Sequence, residues 1–443
     1  MLGKMNFRAT VFLVILQGLL FAGNPILPPG VFMADPAAHV WNDTLYIYGS
    51  VDESTDYYCS YRYHVLSTVD MKHWKIHRNV FHSRGEKDQV PYSDALLFAP
   101  DCQYRNGTYY LYYCQPDREN AEGVATSNSP TGPFENGRKI DVKGYNEIDP
   151  CTFIDDDGQA YYMWGQFSLK MAPMKSNMIE IDKGQIKTDV ITEAEHYFHE
   201  GAHLVKRKDT YYMIYAHIGR ADRPTCIGYA TATKPMGPYE YGGVIIDNDH
   251  CDPEVWNNHG SIFKFKGQWY VFYHRSTHAS RKMRKICIEP ISFNPDGSID
   301  EVQMTTQGVE EGVNAFSRID AARACLLHGD QKIISPASDQ EIITNIRNGD
   351  KAAYKYLDFK DGVASISVRI RSNSSSGTLI LAYDMPWGPD NIGKIPIENT
   401  NNKWRTITHN LDSQIQGKHT LWLQYYCEDD GRAEIDWFEF SAE

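Results

Sequence analysis

One short pattern recurs five times along the 443-residue chain: a tight polar turn followed by a strand crowded with aromatic rings. Asn42-Asp43 precedes Leu45-Tyr46-Ile47-Tyr48, and Asn106-Gly107 precedes Tyr109-Tyr110-Leu111-Tyr112-Tyr113. Asp157-Gly158 precedes Tyr161-Tyr162-Met163-Trp164, Lys208-Asp209 precedes Tyr211-Tyr212-Met213-Ile214-Tyr215, and Lys266-Gly267 precedes Trp269-Tyr270-Val271-Phe272-Tyr273. Asn, Asp and Gly accept the positive φ of a tight hairpin, so each unit reads as strand, turn, strand. The anchor rings Tyr46, Tyr109, Tyr161, Tyr211 and Trp269 lie 50 to 63 residues apart, enough for a four-stranded sheet with its connections. Five such sheets predict an all-β chain that begins with a five-bladed β-propeller, because a sandwich demands no repeat and nothing long and amphipathic reads as helix. The 9 Trp, 29 Tyr and 18 Phe, with a mean hydropathy of −0.49, suit many half-exposed strands rather than disorder or a membrane bundle.

Ten to twelve positions before each anchor stand Asp35, Phe98, Asp149, Glu200 and His259. Equivalent positions of propeller blades meet around the axis, so three carboxylates, a ring and an imidazole are expected to line one central pocket. Taken singly, Asp35-Pro36 and Asp149-Pro150 could merely initiate turns, Glu200 beside Gly201 could be a solvated strand end, and His259 a satisfied core histidine. Three acids at one repeat offset are harder to explain that way, since like charges sharing a pocket cost stability.

The partners are bounded by charge and by the chain's first residues. A formal net charge of −13 argues against nucleic acid or an anionic membrane. Residues 1–23 carry Lys4 and Arg8, then an apolar run from Ala9 to Ala22 that ends in small residues. This reads as a secretory signal peptide, giving a protein secreted or periplasmic and free of the membrane after cleavage, with a retained anchor as the alternative. The nine cysteines show no CxxC spacing and no dense pairing, and are expected to be mostly buried free thiols.

Three acids in an aromatic pocket of an exported protein point to glycoside hydrolysis. One carboxylic acid protonates the leaving oxygen, a carboxylate activates water or attacks, and a third can raise its neighbour's pKa. No cofactor is required for that chemistry.

The motifs Ala34-Asp35-Pro36, Phe98-Ala99-Pro100-Asp101, Ile148-Asp149-Pro150, His199-Glu200-Gly201 and His259-Gly260-Ser261 resemble those of glycoside hydrolase family 43, over about residues 27–308. That family consists of five-bladed propellers that attack arabinose- and xylose-containing plant polysaccharides with inversion. The resemblance implies Asp35 as general base, Glu200 as general acid and Asp149 as the residue that tunes and orients the acid. It implies Arg284 facing the base, with Arg275 and Arg281 as rivals, and His259 at the pocket floor near a bound calcium or its waters. Phe98 and Trp164 are expected to stack on the sugar. Asp155-Asp156-Asp157-Gly158 is expected to be a hairpin turn rather than a calcium loop. The segments around Trp164-Gly165 and Trp269 to Glu289 look most like the α-L-arabinofuranosidase branch acting on arabinoxylan or arabinan side chains. β-D-xylosidase, galactofuranosidase and an inactive sugar-binding propeller are the alternatives, with specificity set by loops such as Asp52 to Tyr63 and Phe81 to Asp94.

The fivefold pattern ends near Gly308, and residues 315–443 alternate as a β-sandwich of jelly-roll type, with runs such as Val363 to Arg371, Gly377 to Tyr383 and Glu434 to Phe440. Gly377-Thr378-Leu379, Trp404 and Ile435-Asp436-Trp437-Phe438-Glu439-Phe440 resemble carbohydrate-binding module family 6, in which Trp404 matches the platform of the sugar cleft. The chain departs from that family at Glu434, Asn345 and Ala322, where a sugar-binding Asn, a second aromatic and a calcium-binding acid are usual. Sugar binding and a purely structural role therefore stand as equal readings of this domain, with Trp387 an alternative contact.

Overall fold

The computed structural model describes residues 19–20, 23–387 and 390–442. The signal peptide expected over 1–23 thus lies largely outside the described residues; of it, Leu19 and Leu20 pair with Trp74 and His73.

The five aromatic segments all form strands: Thr44–Val51, Thr108–Cys114, Ala160–Trp164, Thr210–His217 and Gln268–Thr277. Each pairs antiparallel with the strand before its turn: Met33–Trp41, Asp101–Arg105, Cys151–Ile154, Phe198–Arg207 and Ser261–Phe265. The turns use left-handed backbone where the sequence supplies Asn42, Asp43, Asn106, Gly158 and Gly267. The aromatic strands do not alternate strictly between buried and exposed. Tyr212 to His217 are all buried, because each central strand is covered on both faces by a neighbouring sheet.

Five antiparallel sheets follow in chain order, of five, four, three, four and three strands. Their first strands touch in succession, and Ser261–Phe265 comes back into contact with Met33–Trp41. The third and fifth sheets have three strands rather than the four their length allows. Isolated bridges such as Met174 to Ile181 and Phe293 to Ile299 stand where a fourth strand is expected. Among the described residues the α-helix is one turn, Glu193–His196, and no helix is long and apolar enough to cross a membrane.

From Val313 onward two further sheets face each other. One runs from Val313–Asn314 through Lys351–Asp358, Lys418–Cys427 and Ser376–Tyr383 to Asn391–Glu398; the other runs from Lys332–Ala337 through Gln340–Ile346, Ala433–Ser441 and Ser365–Ser372 to Arg405–Asn410. Val368, Leu379, Leu421, Ile435 and Phe438 interleave between them, the layered core of a sandwich. This half packs on the first: Ala353, Ala382 and Trp422 join Cys251, Val255 and Met304 in one apolar cluster. The buried Lys285 ammonium meets the Glu341 carboxylate at 2.7 Å beside it. All nine cysteines are free and buried.

Candidate active site

Asp35, Phe98, Asp149, Glu200 and His259 line one pocket of about 190 Å³. Asp35 and Glu200 stand at register shifts in the first strands of their sheets. Phe98, Asp149 and His259 lie two or three residues before the corresponding strands Asp101–Arg105, Cys151–Ile154 and Ser261–Phe265. A bulge aims a side chain away from the ladder, which is why sites favour them. Asp35 and Asp149 have left-handed backbone, with φ of 55° and 61°, a conformation Asp tolerates better than most residues. Gly201 lets the Glu200 segment approach His259, since a Cβ there would sit 2.7 Å from the imidazole.

The electrostatics differ among the three acids. Burial alone would raise the Asp35 pKa, but Arg284, then His259 and His274, with the Ser50 hydroxyl, outweigh it and hold it at about 2. Arg284 donates from Nη1 to Asp35 Oδ1 at 2.8 Å, and Ser50 donates a short hydrogen bond to Oδ2. The guanidinium is clamped from behind by Asp52, with Nε to Oδ2 and Nη2 to Oδ1 both 2.9 Å, and lies over the Tyr58 ring. Arg275 is instead bound to Tyr273 and Thr305, and Arg281 lies over Trp256. Asp149 moves the other way: burial, then the charges of Glu200 and Asp35, push it well above the usual carboxylate range. Glu200 is the most open of the three, and its Oε2 accepts from Gln166 Nε2 at 2.8 Å. Gln166 is itself fixed by its N–H to Glu147 Oε2 at 2.7 Å, and Glu147 is paired with Lys170.

Trp164 does not reach the pocket. It is fully buried, packs with Tyr162 and Met174, and donates Nε1 to the Tyr145 carbonyl at 2.6 Å. Strand alternation puts its ring into the core while Gln166, past the strand end, takes the position on the pocket wall. Gln166, His199, Tyr58, Trp256 and Asn257 line the pocket without a repeat to mark them; His199, Trp256 and Asn257 stand within three residues of Glu200 or His259, Tyr58 lies in the Asp52 to Tyr63 loop, and Gln166 is two residues past Trp164.

His259 Nδ1 lies 3.5 Å from Asp35 and 3.9 Å from Asp149. Calcium takes about six to eight oxygen ligands. Around His259 the side chains offer two carboxylates, one of them already engaged by Arg284 and Ser50, so a calcium there would take most of its ligands from water. Asp155 closes a turn with Gly158 and is held by Lys206 and Tyr211, a hairpin and not a calcium loop. A separate buried group, Asp101, Cys151 and His203, has its ligand atoms within 4.8 Å of one another; Asp101 there is engaged by His39 and the Thr152 N–H.

In the second domain the Trp404 ring carries Arg371 at 4.8 Å and Arg369 at 5.6 Å. Glu434 is tied to Arg371 and Thr344. A charged network thus lies against the ring proposed as a sugar platform. Trp387 is 75% exposed.

The profile of Glycosyl hydrolases family 43 matches residues 22–299, and that of Carbohydrate binding module (family 6) matches residues 329–442. The chain is similar to a xylosidase/arabinosidase of Thermoclostridium stercorarium, 27% identical over 91% of this chain and 95% of that one. It is also similar to an arabinoxylan arabinofuranohydrolase of Paenibacillus polymyxa, 26% identical over 92% of this chain and 73% of that one. The fold is similar to the crystal structure of a family 43 arabinoxylan arabinofuranohydrolase from Bacillus subtilis, with a TM-score of 0.53 and 24% identity, covering 95% of this chain and 97% of that one.

Proposed function

Because the chain belongs to glycosyl hydrolases family 43, we propose that it is an inverting, exo-acting glycosidase of plant cell-wall polysaccharides that removes α-L-arabinofuranosyl side groups. The five sheets are read as the blades of a propeller over residues 27–308, with a carbohydrate-binding-module-like sandwich over 315–443. The observation that carries the reading is the opposition of charge states in one small pocket: Asp35 held ionised by Arg284, and Asp149 pushed up beside Glu200.

In this reading Asp35 takes a proton from water as that water attacks the anomeric carbon, the glycosidic bond breaks, and Glu200 gives its proton to the leaving oxygen. Burial and the charges of Glu200 and Asp35 hold the Asp149 carboxyl well above the usual carboxylate range beside the acid. Side chains and water suffice for these steps. The pocket, at about 190 Å³, is smaller than the roughly 300–1,000 Å³ of drug-sized sites, which suits one terminal sugar rather than a chain threaded through a cleft. Arabinose is favoured by the similarity to an arabinofuranohydrolase along 92% of the chain. The name xylosidase/arabinosidase of the other relative keeps β-D-xylosidase as the second reading. A leader over 1–23 suits work outside the cytoplasm on polysaccharide or oligosaccharide.

The test is hydrolysis of aryl α-L-arabinofuranoside, β-D-xyloside and β-D-galactofuranoside, with the first-formed anomer followed by NMR. Preference for the arabinofuranoside with inversion is expected, and loss in Asp35→Ala and Glu200→Ala. Faster xyloside turnover overturns the sugar assignment, a retained anomer overturns the mechanism, and binding without turnover makes the protein a lectin.

A further inference from the structure

Two rings on the segments that carry Glu200 and its partner Gln166 are held where a protein seldom places them. Among the described residues, Phe167 and Tyr197 are the only Phe, Tyr or Trp side chains on left-handed backbone, with φ of 62° and 59°. Both are about half exposed, at 52% and 49%. A bulky residue with positive φ is an outlier that surrounding structure must impose, and such outliers gather at functional sites. An exposed ring in that state gains little from burial, so neither packing nor turn chemistry accounts for the choice of residue.

Their positions connect them to the acid. Phe167 directly follows Gln166, the donor to Glu200, and its ring meets His199 of the pocket wall edge-on at 5.1 Å. The Phe167 N–H donates to the His199 carbonyl at 2.6 Å. Tyr197 lies three residues before Glu200, caps the single helical turn Glu193–His196, and stacks on His217 at 5.0 Å and 28°. Tyr241, 42% exposed, lies 5.2 Å from Tyr197 and shares a 3.0 Å hydrogen bond with His217. The helical turn joins the two rings, since the Glu193 N–H donates to the Phe167 carbonyl and the Tyr197 N–H to the Glu193 carbonyl. The charged side chains on this joining turn are acidic, Glu193 and Glu195.

We propose that Phe167, Tyr197 and Tyr241 form the platform for the leaving group, a neutral pyranose unit of the main chain that bears the sugar in the pocket. This deepens the reading of Glu200 as the general acid: the group that protonates the leaving oxygen marks the side on which the rest of the substrate departs. Pyranose rings present apolar CH faces to aromatic rings, and the acidic turn disfavours uronate units.

The experiment compares kcat/KM for an arabinoxylo-oligosaccharide with that for the glycosyl fluoride of the same sugar, whose leaving group cannot reach the platform. In Phe167→Ala and Tyr197→Ala the fall on the oligosaccharide should exceed the fall on the fluoride by about 3- to 10-fold per ring. Phe167→Tyr, which keeps a ring, should restore the ratio. Calorimetric binding of the oligosaccharide to Glu200→Gln, with and without the platform substitutions, needs no turnover and should weaken by a similar factor. Equal losses on both substrates, or unchanged affinity in the platform variants, overturn the proposal. Absence of turnover on every substrate with ring-dependent binding intact overturns instead the catalytic reading.

Discussion

Replacing Arg284 by Met should expose how the pocket keeps its base charged. The guanidinium is 2% exposed and binds Asp35 at 2.8 Å and Asp52 at 2.9 Å, both carboxylates themselves almost fully buried. Methionine fills similar space but leaves two buried anions without a cation, a loss worth about 3–5 kcal/mol at neutral pH. For Asp35 the main depression is lost. Without Arg284 the burial contribution is opposed only by His259, His274 and the Ser50 hydroxyl, so the Asp35 pKa should rise from about 2 toward its ordinary value of 3.8. A rise of about 2 pH units corresponds to roughly 3 kcal/mol, in line with the pair's loss. In the wild type a depressed Asp35 contributes stability that is present above about pH 4 and lost as pH falls toward 2. In the variant that contribution is largely gone, so the stability lost relative to the wild type should shrink as pH falls. The assay is kcat/KM against pH on an aryl glycoside, whose acid limb reports the free enzyme's base, together with thermal unfolding at pH 4 and pH 7. The limb should move up by as much as about 2 units, and the stability gap should be larger at pH 7. An unmoved acid limb in a folded variant refutes the reasoning.

Three further outcomes follow from the packing. Trp164→Ala should cost about 3–5 kcal/mol in unfolding free energy while KM of the folded fraction is unchanged, because the ring is in the core and not on the pocket. Gly201→Ala should cut kcat at least about tenfold with little change in the unfolding midpoint, since φ of +67° and a Cβ 2.7 Å from His259 force the Glu200 segment to shift; a fully active variant would contradict the close approach. Lys285→Met should lower unfolding free energy by about 3–5 kcal/mol by leaving Glu341 buried and unpaired, and Lys285→Met with Glu341→Leu should recover most of it, as measured by denaturant unfolding.

The repeat was legible because hairpin turns need particular residues and because central strands covered on both faces favour rings. For that reason Tyr46, Tyr109, Tyr161, Tyr211 and Trp269 marked real strands. Counting back from them found Asp35, Asp149, Glu200 and His259, since position in a repeat becomes position around an axis. Trp164, expected on the sugar only because rings stack on sugar faces, lies elsewhere: strand alternation sends its ring to the core, and alternation is invisible where both faces are apolar. The outer strands were unreadable, as in Lys332–Ala337 and Asn391–Glu398, which carry mixed polar residues and pair at sheet edges.

The sequence by itself determined which residue types recur at which offset, and so which acids would meet, because local turn chemistry and a regular repeat length act along the chain. Only the tertiary structure decided how each acid is charged and what surrounds it. Arg284 reaches Asp35 from 249 residues away, and Gln166 and the half-exposed Phe167 come to Glu200 and His199 from the preceding sheet. Burial and opposing charges set a carboxyl's protonation through distance in space, which the order of residues along the chain does not contain.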